Sequence, residues 1–230
     1  MSRMALERFS TVDALTDSLR RRILDGDLAP RTQLREQELT RDYAVGRHTL
    51  RAGFQALAHE GLVHHEPHRG AFVVSMGVED AVELYTIRLA LEGEAARLIV
   101  ENHSEVSAVA QAYRKLAELP DTASWSTIMR GDLAIHQAIV DASGNRRMST
   151  IFSSLVVQLL LCLSQLNRKQ NTLPQVVAQH DEIMQALRGR SPSQSVNAVR
   201  DHLSATLTEI VDTVANGAGP EQVGRRRGPE

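Results

Sequence analysis

The chain of 230 residues has a single cysteine, Cys162, so no internal disulfide framework can form and its thiol usage fits a reducing compartment. It has no surplus of either charge. With 26 Lys+Arg against 28 Asp+Glu the net is −2, which by itself points to no partner. It also lacks a long apolar run. The longest, 155–163, is interrupted by Gln158 and falls far short of the roughly 20 residues that cross a bilayer, so no membrane association is expected. The first residues do not read as a secretory leader, which makes the cytoplasm the expected location. There is one tryptophan, Trp125, expected in a core or at a helix start. What the chain does have is 42% hydrophobic residues, enough for a sizeable core in one large or two modest domains.

Charge becomes informative once it is placed. Residues 1–75 hold 11 basic and 10 acidic side chains, every basic one an arginine, and five of the nine histidines. Arginine is the cation suited to forked contacts with phosphates and bases. Residues 1–9 read as a loose arm, and Ser10 or Thr11 can cap a helix in which Val12, Leu15, Leu19 and Ile23 recur at helical spacing. Arg20, Arg21 and Arg22 near its end suit the helix dipole and solvent.

The stretch 28–74 then reads as two short amphipathic helices followed by a hairpin. Leu34, Leu39 and Tyr43 mark the first helix; after the Ala44-Val45-Gly46 turn, Leu50, Phe54 and Leu57 mark the second, which Gly61 stops. Residues 62–65 and 71–75 are expected to pair as strands, with 66–70 as an exposed wing. This is the outline of a winged helix-turn-helix. Arg47, His48, Thr49 and Arg51 fall at the start of the second helix, off its apolar face, where a recognition helix meets base edges in the major groove. An arginine fork on guanine is worth roughly 1–3 kcal/mol of base discrimination. The same pattern also fits a solvated helix surface, so spacing alone leaves both readings open.

The run Leu34-Arg35-Glu36, Leu39, Gly46-Arg47, Leu50-Arg51, Leu57, Glu60-Gly61-Leu62-Val63 and Arg69-Gly70-Ala71-Phe72-Val73 resembles the DNA-binding domain of GntR-family transcription regulators. The resemblance implies that Arg35, Arg47 and Arg51 contact operator DNA and that His68 and Gly70 at the wing tip approach the minor groove. Three departures stand out. Gly46 replaces a family serine at the helix N-cap, which costs only a few tenths of a kcal/mol. Arg31 replaces a glycine after Pro30, so the turn must change type or hold a non-glycine residue under strain. Ala52 and Gly53 replace a Glu-Ala pair, and an interior glycine costs about 1 kcal/mol against alanine, which predicts a softer recognition helix.

After a short linker at 76–78, only helical patterns follow: 79–101, 104–118, 124–142, 146–167, 174–189 and 192–215, punctuated by Pro120, Gly144, Pro174 and Pro192. The predicted fold is mainly α: an N-terminal winged helix-turn-helix with a small β-hairpin wing at 1–75, an all-α antiparallel helical bundle at 76–216, and a disordered tail at 217–230. The fourth bundle helix is apolar enough to be the bundle's centre or a dimer face, with Cys162 as a small buried hydrophobe. Within the bundle, Asp132 and His136 lie four apart on a face shared with Ile128 and Ile139. His180 falls among Val176, Val177, Ile183 and Met184, and His202 among Val199, Leu203 and Thr206. Each alone reads as a satisfied core histidine. Together they form a plausible three-nitrogen, one-oxygen shell for zinc, nickel or another divalent transition metal.

Residues 79–215 also resemble the FCD ligand-binding domain of the FadR-type GntR branch, whose metal-binding members carry Asp, His, His and His at the positions of Asp132, His136, His180 and His202. The resemblance implies an effector pocket lined by Arg88 and Asn145, although Arg88 could equally pair with Glu92 one turn on. A small organic acid as effector, a homodimer on a pseudopalindromic double-stranded operator, and repression released by the acid are the mechanism expected with it, although an activator could share every residue. Two alternatives remain at this stage: a regulator for which the metal itself is the signal, and a metal-dependent hydrolase. The hydrolase is the weaker, because catalytic zinc usually keeps three protein ligands and a nearby general base, and no glutamate is placed for that role.

Overall fold

A computed structural model describes residues 11–166 and 171–215. The expected N-terminal arm, the Ser10 cap, residue 167 at the end of the fourth bundle helix and the tail from 217 lie outside the described residues. The chain divides into two compact units, with the boundary between Ser75 and Met76.

The first unit runs α1 (Thr11–Leu24), β1 (Gln33–Leu34), α2 (Glu36–Asp42), α3 (Arg47–His59), β2 (Val63–Glu66) and β3 (Gly70–Val73). Its core follows the predicted stripes: Leu15, Leu19 and Ile23 of α1 and Leu50, Phe54 and Leu57 of α3 are all buried. At full burial each such side chain contributes about 1.5–3 kcal/mol. Arg20 departs from the expectation of a solvated dipole residue: its fork donates twice to Glu60 at 2.6 Å, clamping α1 to the residue after α3. Gly53 has a packing role. It is buried where α3 meets α1, and a Cβ there would stand 3.3 Å from Thr16 Oγ1.

The sheet is three-stranded and antiparallel, in the order β1-β3-β2, with Gln33 opposite Phe72 and His65 opposite Ala71. The hairpin was expected and β1 was not, because two residues carry no alternation to read. Glu66 to Arg69 form the wing turn, closed by Arg69 N–H donating to the Glu66 carbonyl at 3.1 Å. Pro67 takes its second place and His68, at φ +62°, its third. Arg31 resolves its two alternatives in favour of strain: it stays at φ +64° while its N–H donates to the Val73 carbonyl at 3.0 Å.

The second unit is helical throughout its described residues: α4 (Val78–Glu101), α5 (Ser107–Ala117), α6 (Trp125–Ala142), α7 (Arg146–Leu166), α8 (Leu173–Ala178), α9 (Asp181–Leu187) and α10 (Pro192–Ala215). Helix α4 packs on α6 and α10, and α6 on α5 and α7. Five of the six predicted helices hold to within a few residues. The sixth, 174–189, is two helices, broken at Gln179 and His180. In an unbroken helix the His180 N–H would bond the Val176 carbonyl; here it bonds Val177 at 3.0 Å while the His180 ring takes the Val176 carbonyl through Nδ1 at 2.8 Å. Helix α7 is long and apolar enough to cross a membrane by length and composition alone, contrary to the reading of its shorter apolar run, but half of that stretch is buried inside the protein. Cys162 sits on it, buried, its thiol pushed up to about 12 by that burial. Burial thus disfavours its thiolate, the nucleophilic form.

Candidate functional site

Helix α6 presents Asp132 and His136 on one face, the α8–α9 break delivers His180, and α10 delivers His202. Their candidate ligand atoms all lie within 4.8 Å of one another. His136 Nε2 is 3.3 Å from His180 Nε2 and 3.2 Å from His202 Nε2. Asp132 Oδ1 is 3.3 Å from His180 Nε2, and Oδ2 is 3.8 Å from His136 Nε2. Donors about 2.1 Å from a shared ion would be separated by roughly 3.0 Å at right angles and 3.4 Å at tetrahedral angles, so the three shorter distances are those of a coordination shell.

The outer nitrogens say more. His180 Nδ1 can only donate to the Val176 carbonyl, and His136 Nδ1 faces Glu92 Oε2 at 2.6 Å. A backbone hydrogen bond at Gln179 serves His202. A neutral imidazole has one N–H, so spending it at Nδ1 leaves a bare lone pair at Nε2. Burial holds His180 below its ordinary value, partly offset by Asp132, and holds His202 well below, reinforced by His136 and His180. The Nε2 lone pairs of His180 and His202 and an Asp132 oxygen therefore converge with His136 Nε2 on one point, an arrangement that a cation can satisfy.

Arg88 and Glu92 lie one turn apart on α4, both buried, with Arg88 Nε donating to Glu92 Oε1 at 2.8 Å. Burial alone would raise the Glu92 carboxyl, but His136 and Arg88 outweigh it and hold it at about 2. The pairing does not exhaust Arg88. Its Nη2, Tyr85 Oη and Trp125 Nε1 are buried polar atoms without a hydrogen-bond partner among the described residues. All three residues line one small cavity of about 20 Å³, whose wall also includes Asp132, Asn171 and His202. Trp125 and Asn171 also line an outer cleft against Ile128 and Leu173.

Sequence reasoning brought Arg88 and the four candidate ligands to this place. It missed Glu92 as the partner of His136, and Tyr85, Trp125 and Asn171 as cavity residues. A lone tryptophan at a helix start and a glutamate four residues after Arg88 were the available signals. Asn145 was misplaced. It is exposed, its Oδ1 accepts from the N–H groups of Arg147 and Met148 at 3.1 and 3.3 Å, and it caps α7 rather than lining the cavity.

In the first unit, Arg47 and His48 are exposed at the start of α3 and Thr49 is half-buried. Gly46 stands at the N-cap with no side-chain bond. Arg51 is exposed but engaged, its fork on Glu36 at 2.8 and 3.0 Å. Arg35, at the N-cap position of α2, pairs with Glu38 at 3.3 Å. His68 and Gly70, exposed at the wing tip, both hold positive φ.

Comparison with known proteins agrees with both halves of this description. Residues 11–73 match the model of the gntR family of bacterial regulatory proteins, and residues 83–205, more than half the chain, match the FCD domain. The chain is 25% identical over 203 residues, 88% of its length and 89% of the relative's, to a probable D-xylose utilization operon transcriptional repressor of Paenarthrobacter nicotinovorans. It is 25% identical over 236 residues, 92% and 93% of the two lengths, to the Glc operon transcriptional activator of Escherichia coli K12. A crystal structure of a putative GntR transcriptional regulator from Rhodococcus sp. RHA1 superposes with a TM-score of 0.77 at 24% identity, covering 88% of this chain and 98% of that one, a likeness that carries the fold. The chain therefore belongs to the gntR family of bacterial regulatory proteins, with a helix-turn-helix head joined to an FCD domain, and is a transcription regulator rather than an enzyme.

Proposed function

We propose that the protein represses transcription as a homodimer on a pseudopalindromic operator, and releases it when a small carboxylate binds beside a divalent transition ion, zinc or nickel, held by Asp132, His136, His180 and His202. One observation carries this reading: the converging Nε2 atoms of three imidazoles and a carboxylate adjoin a cavity lined by three residues with unpaired buried donors. Such an ion, when bound, would neutralise the converging lone pairs and add positive charge to the cavity.

The protein's own groups define what the cavity takes. Arg88 Nη2, Tyr85 Oη and Trp125 Nε1 are all able to donate, so the ligand is rich in acceptors; at about 20 Å³ the cavity holds one water-sized group as it stands, so the ligand is small and its entry widens the site. A charge-assisted hydrogen bond from a buried arginine favours a carboxylate over a neutral carbonyl. The same donors favour an organic ligand over a pure metal sensor, for which they would have no use. Helix α4 starts at Val78, three residues after Ser75 ends the head, and carries Tyr85, Arg88 and Glu92, so ligand contacts bear on the helix that continues the linker. A ligand shifts operator binding only by binding two states unequally. Association of two copies is supported by the exposed apolar side chains of Val82 and Ile87 on α4 and Ile151 on α7. Two heads suit a two-fold site because half-site symmetry mirrors protein symmetry. Arg35, Arg47, His48, Thr49 and Arg51 would face the operator, with His68 and Gly70 at the minor groove. Repression is the sign named for the D-xylose relative, and activation for the Glc one.

The test is elemental analysis of the purified protein followed by thermal denaturation with a panel of two- to six-carbon hydroxy- and keto-acids. One divalent ion per chain, lost in Asp132→Ala and His136→Ala, and an acid that stabilises wild type but not Arg88→Ala, are the expected results. A chain that takes up no transition metal, or equal stabilisation of Arg88→Ala, contradicts the reading.

A further inference from the structure

The buried carboxylate of Glu92 stands between the two halves of the proposed site and belongs to neither the candidate ligands nor the cavity wall. Its two oxygens are divided: Oε1 accepts from Arg88 Nε at 2.8 Å and Oε2 meets His136 Nδ1 at 2.6 Å. The division follows from the fold. Spacing of i, i+4 on α4 puts Arg88 and Glu92 on one face, and α4 packs on α6, which carries His136. All three side chains are buried, with Glu92 and His136 at 0% exposure, so the arrangement is fixed by packing as well as by bonds.

We infer that Glu92 is the positioning residue of this site: it holds a proton on His136 Nδ1 and so turns Nε2 toward Asp132, His180 and His202, and it holds Arg88 with Nη2 left over for a ligand. The inference rests on the metal reading above and deepens it. His136 is the hub of the cluster, since its Nε2 lies within 3.3 Å of both other imidazoles. The partners of His180 and His202 are backbone groups that no substitution removes. Glu92 is thus the support of the cluster that mutation reaches directly. Supporting carboxylates of this kind typically change metal affinity about 10- to 100-fold when removed. By the same geometry, losing Glu92 frees the Arg88 guanidinium to rotate, so metal and anion binding fail together.

The experiment compares full-length wild type with Glu92→Gln, Glu92→Ala and a control, Glu94→Gln, whose exposed carboxylate pairs only with Arg97 among the described residues. Cobalt(II) serves as the spectroscopic probe and zinc competition supplies affinities. Nitrogen-15 correlation spectra of the imidazoles in metal-free protein report the His136 tautomer, a readout that general loosening would not move. Glu92→Ala is expected to lose about 10- to 100-fold in zinc affinity, to alter the cobalt visible spectrum, and to shift His136 from a proton at Nδ1 toward one at Nε2. Glu92→Gln, close in volume, keeps one carbonyl for two donors and leaves the buried Arg88 without its counter-charge, so it is expected to weaken zinc binding and to melt below wild type, the His136 tautomer separating the two effects. Glu94→Gln should match wild type in every readout. Unchanged zinc affinity and an unchanged His136 tautomer in both Glu92 variants would overturn the inference while leaving the metal site standing. A wild type that binds neither cobalt nor zinc overturns the metal reading and this inference with it.

Discussion

At the scale of single residues, Arg51, which we propose reads a base, is the clearest case of a group already spoken for. Arg51 is 63% exposed yet has its fork on Glu36, 33% exposed, so a base must compete with a carboxylate. Exposed ion pairs are worth about 0–1 kcal/mol, which sets the scale of that competition. Glu36→Ala is accordingly predicted to raise operator affinity by up to about fivefold, read by fluorescence anisotropy at fixed salt. Arg51→Ala should lose about 1–3 kcal/mol and relax preference at one base position. Weaker binding by Glu36→Ala would mean that Glu36 itself contributes to the interface.

The histidines of the cluster make a second prediction at the same scale, for metal-free protein. Burial, foremost among the causes, holds His180 and His202 below the ordinary 6.5. As pH falls below about 6.5 the unfolded chain therefore takes up protons that the folded chain refuses, and stability rises with pH across that window. Urea melts of chelated protein should show loss of stability from pH 7 to pH 5. Glu92, held at about 2 against an ordinary 4.5, adds its own loss only below about pH 4.5. A stability that is flat from pH 7 to 5 would contradict the buried neutral histidines. Asp132 and His136 were legible in the sequence because four-residue spacing is a property of any helix. Glu92 was seen only as a partner for Arg88, since its bond to His136 crosses 44 residues and depends on how α4 meets α6. Asn145 and Asn171 could not be told apart by residue type: both follow helices, and only the fold shows that one caps α7 while the other faces the cavity.

At the scale of elements, the head's departures from its family pattern become measurable. Gly46 precedes α3 at φ −72° with open space where a side chain would go, and Arg31 holds φ +64°. Gly46→Ser is therefore predicted to stabilise the head by a few tenths of a kcal/mol through a cap bond. Arg31→Gly should add about 1 kcal/mol by relieving left-handed strain. Both are read as denaturation midpoints, and a destabilised Arg31→Gly would mean that its side chain matters more than its backbone. The helices of the second unit were legible because proline, glycine and apolar spacing mark their ends. The α8–α9 break was not, because it arises from a side chain taking over a backbone carbonyl, which leaves the apolar spacing untouched. That break is what delivers His180, so the least legible feature of the bundle is the one that completes the cluster.

At the scale of the whole molecule, the head and the helical unit were both readable in outline because each carries its own apolar periodicity and its own cluster of polar exceptions. The proposed coupling between them was not readable, since it depends on two states of one molecule. If ion binding is restricted to the folded chain, removing the ion must lower stability by mass action, about 2.7 kcal/mol at a free ion concentration 100 times its dissociation constant. Chelation should thus lower the melting temperature of wild type and leave His136→Ala unmoved; equal shifts would place the ion elsewhere.

The most direct test of the central claim is operator affinity, measured by anisotropy on a selected site, with and without zinc or nickel and across small carboxylates. The account predicts an acid that weakens operator binding by tenfold or more in metal-loaded wild type, with no effect in chelated protein or in Arg88→Ala. An acid that releases DNA equally from all three, or none that releases it from the loaded protein, would contradict it.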